Sequence, residues 1–248
     1  MTVRRMLATP KARLVRSRRP GGAAHSRLWL FDLDNTLHDT SHAIFSHIDR
    51  AMTAAVAEHV GVDDNEANRL RVLYWQRYGA TVIGMVRHHG ADADTFLARC
   101  HDFDTVNLVR AERGLANKLK RLPGRKVLLT NAPMAYARVV LKTLGILQQF
   151  KSIWSIEHMR WHAHYRPKPS NALLRYVLAR EGVAPHQATL VEDTLANLRS
   201  ARQVGLRTVF VHHPGTPMAR ARHARPAYVD LRVNSVSDLL LNRRAVRD

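Results

Sequence analysis

The sequence predicts an α/β fold: an open parallel sheet covered by helices on both faces, with a helical insertion after its first strand. Three observations lead there. Short β-rich apolar runs alternate with helical patterns, as in parallel sheets whose crossovers are helices. About ninety residues between the first and second runs show helical spacing but no convincing strand, far more than an ordinary crossover needs. Acids and hydroxyls gather just past the ends of several runs, where parallel sheets place their ligands.

In chain order, the first run is Leu28–Leu33. Ile44, Ile48, Met52, Ala55 and Val56 then recur at helical spacing, with Ala51 and Val60 on the same stripe. Further helices are predicted over about 65–78, 93–101 and 105–121. Together they read as a helical subdomain over 41–109, leaving 28–40 and 110–248 as the α/β core. The second run is Lys126–Thr130, followed by a helix over about 133–145 that ends near Gly145. The runs Ser152–Ile156, Ala188–Glu192 and Arg207–Val211 follow, with helices over about 169–182 and 194–204 between them.

Composition limits the classes available. A chain of 248 residues suits one domain, or one domain carrying a sizeable insertion. Twelve Gly and ten Pro rule out collagen-like and low-complexity architectures. No stretch approaches the roughly 20 apolar residues that cross a bilayer. The single cysteine, Cys100, cannot form an internal disulfide or supply a multi-cysteine zinc site, and reads as a small buried apolar residue. A cytoplasmic location is expected.

The net charge is +19, and eight of the 39 basic residues lie in the first 27, which contain no acid. Residues 1–27 include Arg18-Arg19-Pro20-Gly21-Gly22 and read as a disordered basic tail. Ser17-Arg18-Arg19 suggests a twin-arginine export signal, but the apolar run after it, Leu28-Trp29-Leu30-Phe31, is too short and ends in an acid. A basic arm can bind nucleic acid through phosphate contacts; a solvated, arginine-biased extension is the favoured reading.

The chemistry sits at the strand ends. Phe31-Asp32-Leu33-Asp34-Asn35-Thr36-Leu37 holds two carboxylates two residues apart, which point the same way from an extended chain. Their repulsion calls for a cation or hydrogen bonds. Thr130-Asn131 offers a hydroxyl followed by a backbone N–H at a turn, suited to a phosphate oxygen. Glu192-Asp193 supplies two more acids, and Arg166-Pro167-Lys168-Pro169 holds a cation between two prolines. Taken singly, a strand-end Asp is often a cap, Thr130 is as good a cap as a ligand, and Lys168 is an ordinary surface charge. Together, at matching ends of one sheet, they are not explained by capping.

This constellation resembles the haloacid dehalogenase-like (HAD) hydrolase superfamily, whose four motifs correspond in order to Asp32-Leu33-Asp34-Asn35-Thr36, Thr130-Asn131, Lys168 and Glu192-Asp193, over about residues 28–215. The resemblance implies a three-layer Rossmann-like core and makes the insertion a helical cap. It implies that Asp32 attacks phosphorus to form an aspartyl-phosphate, and that Asp34 serves as general acid and then base. It implies Mg2+ held by the Asp32 carboxylate, the Asp34 backbone carbonyl and the Asp193 carboxylate, with Glu192 binding through water or orienting the others. Thr130, the Asn131 amide and Lys168 would hold the phosphate. Many relatives have a further acid several residues on in the fourth motif, where this chain has Asn197.

Phe31–Leu37, with Arg77-Tyr78-Gly79-Ala80-Thr81, Gly84-Met85 and His89, is similar to the pyrimidine 5'-nucleotidase branch, which implies a substrate such as UMP or CMP. Tyr74, Trp75, Tyr78, His88, His89 and Phe103 offer a stacking face for a base, although each alone is more often packing. A phosphoglycolate or sugar-phosphate phosphatase is the nearest alternative, then a phosphomutase; a nucleic-acid-binding protein using the basic arm is the alternative from another class. His162 and His164 do not complete a metal set, and His212-His213-Pro214 reads as the turn leaving the sheet.

Overall fold

The structure is a computed structural model that describes residues 28–41, 43–110, 112–161, 164–212 and 226–241. The predicted basic tail over 1–27, together with His162, His213 and Pro214, lies outside the described residues. The chain opens with strand β1 (Leu28–Phe31), then helices α1 (Ile44–Val60), α2 (Asp64–Tyr78), α3 (Thr81–His89), α4 (Ala93–Cys100), α5 (Thr105–Leu108) and α6 (Leu115–Arg121). Strand β2 (Arg125–Leu129), helix α7 (Met134–Thr143) and strand β3 (Ser152–Trp154) follow. A short hairpin, β4 (Arg160–Trp161) and β5 (His164–Tyr165), leads to α8 (Asn171–Glu181) and β6 (Ala188–Glu192). The chain continues through α9 (Leu195–Val204), β7 (Arg207–Val211), β8 (Leu231–Val233) and α10 (Asp238–Leu241).

Six strands form one sheet in the order β3-β2-β1-β6-β7-β8, and every neighbouring pair is parallel. The order reverses at β1, which lies between β2 and β6. An open sheet binds ligands at such a reversal, beyond the carboxyl ends of the strands. All four side chains of β1 are buried, because both faces of the sheet are covered. Leu28 and Leu30 join one core with Leu173, Val177, Leu198 and Ala201 of α8 and α9. Trp29 and Phe31 join the other with Leu115, Leu119, Ala137, Val140 and Leu141 of α6 and α7. The architecture is therefore three layers, and each large apolar side chain of β1 contributes about 1.5–3 kcal/mol by leaving water.

The insertion is helical, as predicted. Its helices begin and end on local chemistry: Asp63 accepts from Glu66 N–H at 2.9 Å to start α2, and Asp92 caps α4 through Thr95 N–H at 2.8 Å. Gly79 ends α2 in the left-handed region at φ +82°. Helix α3 is not among the predicted elements. It spans only nine residues, Thr81–His89, with Thr81 to Met85 buried and Arg87 and His88 exposed, too short a stretch for helical periodicity to declare itself. Gly84 lies so close to Tyr74 that an added Cβ would stand 2.0 Å from the ring.

The predicted helix over 105–121 needs correction, since it is two helices. Val109 turns extended, and Gly114 sits at φ +76°, outside helical geometry. Glu112, between them, accepts from the Ser235 hydroxyl at 3.0 Å and Ser237 N–H at 3.2 Å near the carboxyl end of β8. Among the described residues, no helix is long and apolar enough to cross a membrane.

Candidate active site

The register of the sheet assembles the predicted residues. Phe31 pairs with Val191 of β6 and Leu128 of β2, so Asp32 follows directly beside Glu192 on one side and close to Thr130 on the other. Asp32 N–H extends the pairing to Val191 O at 3.0 Å. The chain then turns sharply. Thr36 N–H and Leu37 N–H both donate to Leu33 O, and Asn35 takes φ +55°, a conformation asparagine tolerates better than most residues. The Asn35 side-chain oxygen accepts from Thr40 N–H at 3.1 Å and from Ser41 N–H and its hydroxyl at 3.0 Å each. This turn brings the Thr36 hydroxyl to Asp32 Oδ2 at 3.2 Å.

Lys168 reaches the same place from the loop before α8. Its peptide is clamped by Asn131, whose Oδ1 accepts Lys168 N–H at 3.0 Å and whose Nδ2 donates to Lys168 O at 3.1 Å. The buried ammonium then donates to Asp32 Oδ1 at 2.5 Å and Glu192 Oε2 at 2.7 Å. Thr194 N–H holds Glu192 Oε1 at 3.1 Å, and the Thr194 hydroxyl holds Asp193 Oδ1 at 3.1 Å. Asp32, Glu192 and Asp193 each place a carboxylate oxygen within 4.8 Å of the others, the one such group among the described residues.

Crowding acids into a largely buried site shifts them. Burial, and then the Glu192 charge, push the Asp32 carboxyl up to about 7 despite the pull of Lys168. Burial and the charges of Glu192 and Asp32 likewise hold Asp193 well above the usual carboxyl range. Burial alone would lower Lys168; Asp32 and Glu192 outweigh it and keep the ammonium firmly charged. Three carboxylates against one ammonium leave two negative charges in excess, which a divalent cation with oxygen ligands would match.

Asp34 behaves differently. Its Oδ1 accepts from the Tyr136 hydroxyl at 2.8 Å, His38 Nε2 at 3.2 Å and the Thr40 hydroxyl at 3.3 Å. Burial raises its carboxyl, but His38 and Tyr136 more than offset that, and Asp34 stays below the usual range. Burial and the Asp34 charge drive the Tyr136 hydroxyl far upward, so it remains a donor. Thr36, His38, Thr40 and Tyr136 are contacts the sequence reading missed. Three lie within six residues of Asp34, in the same turn. Tyr136 is 102 residues away and carries no local signal.

Thr130 is buried, and its hydroxyl accepts from Ala132 N–H at 3.0 Å, which leaves its proton free to donate. The Asn131 backbone N–H finds no acceptor among the described residues. Asn131 Nδ2 also approaches Gly79 O at 3.4 Å, so the end of α2 touches the Lys168 loop. Nearby, Tyr74, Tyr78, His88 and His89 form one cluster: Tyr74 stacks on His88 at 5.4 Å, and Tyr78 and Tyr74 share hydrogen bonds of 2.7 Å with His88 and His89. Arg77 and Arg87 lie over the Tyr78 ring. Tyr74 is buried packing, Trp75 is 56% exposed, and Phe103 packs against His47 and Tyr136. Cys100 is fully buried and its thiol is pushed up to about 12, the behaviour of an inert apolar residue. His212 N–H bonds to Val233 O, so the chain is still paired to β8 there.

Comparison with known proteins fits this geometry. A model of the haloacid dehalogenase-like hydrolase family matches residues 29–211. Phosphate metabolism protein 8 of Saccharomyces cerevisiae is 26% identical over 192 residues; the match takes in 73% of this chain and 60% of that protein's length. Phosphoglycolate phosphatase 1 of Pseudomonas aeruginosa is 24% identical over 210 residues, 78% of this chain and 73% of its own. Among solved structures, a HAD phosphatase from Thermococcus onnurineus superposes with a TM-score of 0.59 at 19% identity, covering 90% of this chain and all of its own.

Proposed function

The chain belongs to the haloacid dehalogenase-like hydrolases, and from that we propose a magnesium-dependent phosphomonoesterase that works through an aspartyl-phosphate on Asp32, with a pyrimidine nucleoside 5'-monophosphate as substrate. The observation that carries the reading is the buried ion pair of Lys168 with Asp32 and Glu192, set beside Asp193 at adjoining strand ends. A structural role alone does not account for three acids gathered around one cation at a largely buried site, because the surplus charge costs stability.

Each residue has a part. Asp32 attacks phosphorus in line, and its carboxylate oxygen forms the new bond as the bond to the leaving alcohol breaks. Asp34 gives that alcohol a proton, then takes one from the water that cleaves the aspartyl-phosphate, so phosphate leaves and both acids are restored. Asp34 is ionised in the free site, the form needed for the second step; an arriving phosphate anion favours the protonated form needed for the first. Lys168, the Thr130 hydroxyl and the Asn131 backbone N–H bind phosphate oxygens. Asp32, Asp193 and the Asp34 backbone carbonyl would hold magnesium, which when bound offsets charge between nucleophile and phosphate. Glu192 accepts from Lys168 on one oxygen and from Thr194 N–H on the other, so it orients the lysine.

We take 41–109 as the cap, which supplies substrate contacts. The nucleotide reading is supported by the contact of Gly79 with Asn131 and by the ring cluster beside it, because both come from the segment that resembles the nucleotidase branch. The name of the Pseudomonas aeruginosa relative favours phosphoglycolate as a second reading. The test is a phosphate-release screen with magnesium over UMP, CMP, sugar phosphates and phosphoglycolate. Turnover highest on the pyrimidine nucleotides supports the first reading; turnover highest on phosphoglycolate replaces it with the second.

A further inference from the structure

We propose that Tyr136 and His38 are positioning residues that dedicate one oxygen of Asp34, Oδ2, to proton transfer. The proposal rests on the phosphatase reading and goes beyond it by assigning the atom that moves the proton and the side chains that choose it.

All three donors to Asp34 converge on Oδ1: the Tyr136 hydroxyl at 2.8 Å, His38 Nε2 at 3.2 Å and the Thr40 hydroxyl at 3.3 Å. Among the described residues, Oδ2 has no hydrogen bond. A carboxylate oxygen offers about two lone-pair sites, so three donors saturate Oδ1 and no proton can lodge there. Protonation is directed to Oδ2.

Tyr136 and Thr40 are held by contacts other than Asp34, and His38 by its burial. Tyr136 is buried on α7, and its ring packs against His101 at 5.2 Å and Phe103 at 6.4 Å. The His38 side chain is wholly buried and its Nδ1 has no partner, so its one hydrogen bond is the one from Nε2 to Asp34. Thr40 Oγ1 accepts from Asn35 N–H at 2.9 Å, which turns its proton toward Asp34. The Asp34 side chain meanwhile keeps 21% exposure, unlike His38 beneath it. One oxygen is thus anchored inward and the other left to the cleft.

The chemistry needs this. Oδ2 gives its proton to the alcohol oxygen as the bond from phosphorus to that oxygen breaks. The same Oδ2 then takes a proton from water as the water oxygen bonds to phosphorus and the Asp32–phosphorus bond breaks. A carboxyl free to rotate would present either oxygen and lose the alignment that intramolecular proton transfer depends on.

Tyr136→Phe removes the hydroxyl and keeps the ring packing. The full chain, with magnesium, is assayed on the best alkyl phosphate from the screen (UMP or phosphoglycolate) and on p-nitrophenyl phosphate, whose leaving group departs without a proton. In rapid-quench single turnovers the expected result is a loss of about tenfold or more in the rate at which the alkyl ester phosphorylates Asp32, with nearly unchanged KM, little change in phosphorylation by p-nitrophenyl phosphate, and the same slowing of aspartyl-phosphate hydrolysis after either substrate. Thr40→Val, which removes a second donor to the same oxygen at nearly constant volume, should give a smaller loss with the same substrate dependence; it decides the matter should Tyr136→Phe not fold. An equal loss in the phosphorylation step on both substrates makes these contacts a tie between α7 and the β1 loop and overturns the proposal, as does no loss on either. Wild-type protein that releases phosphate from neither substrate refutes the phosphatase reading itself.

Discussion

Gly79 is the point where the end of α2 meets the Lys168 loop, and replacing it with alanine should damage both stability and turnover. The residue ends α2 at φ +82°, a conformation that costs a residue with a Cβ about 1–2 kcal/mol. An added Cβ would stand 2.7 Å from the Lys168 carbonyl oxygen and 3.3 Å from Pro167 Cγ. The first neighbour is backbone and cannot swing aside, so relief requires moving α2 or the Lys168 peptide, at roughly a further 1–3 kcal/mol. Gly61 is the control, because it ends α1 at φ +76° and a Cβ added there would meet nothing within 4 Å. Urea unfolding should show Gly61→Ala losing about 1 kcal/mol with normal turnover. Gly79→Ala should lose that and the overpacking cost, and a shift of Lys168 away from Asp32 should lower kcat about tenfold to a hundredfold. Equal stability and equal turnover in the two variants would refute the proposed contact.

Two further outcomes follow from the charge cluster. Lys168→Met leaves Asp32 and Glu192 buried without their cation, and should cost about 3–5 kcal/mol in urea unfolding at neutral pH while abolishing phosphate release; a stable, active variant would contradict the pairing. Asp32 titrates near 7 in the metal-free site, against a usual 3.8 when unfolded. The folded state therefore binds the extra proton between those values, and this group's contribution to stability falls as pH rises through that window. The same proton competes with magnesium, so affinity should tighten from about pH 6 to 8 with proton release on binding. Calorimetry in buffers of different ionisation heat reads that release, and a buffer-independent heat would count against it.

The clustering of Asp32, Thr130 and Glu192 was readable because each stands at the end of an apolar run, and parallel pairing brings such positions together whatever their distance in sequence. β6 and β7 span the predicted residues because five β-rich residues bounded by polar ones leave little choice. Helix periodicity fails where a helix is short or where the spacing runs across a break. Helix α3 spans only nine residues, and the 105–121 stretch keeps helical spacing across a break set by Gly114 and by the bonds of Glu112 to Ser235 and Ser237. The support around the acids was illegible for a different reason. Tyr136 meets Asp34, and the Asn131 side chain clamps the Lys168 peptide, only after α7 and the loops have packed.

Covalent capture of phosphate on Asp32 decides between a nucleophilic carboxylate and any other use of this site. Protein mixed with substrate and magnesium is quenched in acid within the first turnover, the acyl phosphate is reduced with tritiated borohydride, which releases the phosphate, and the peptides are mapped. Tritium on the peptide carrying Asp32, present there as homoserine and absent from Asp32→Asn, is the predicted result. Turnover with no label on that peptide, or equal labelling in the Asp32→Asn variant, would contradict the mechanism.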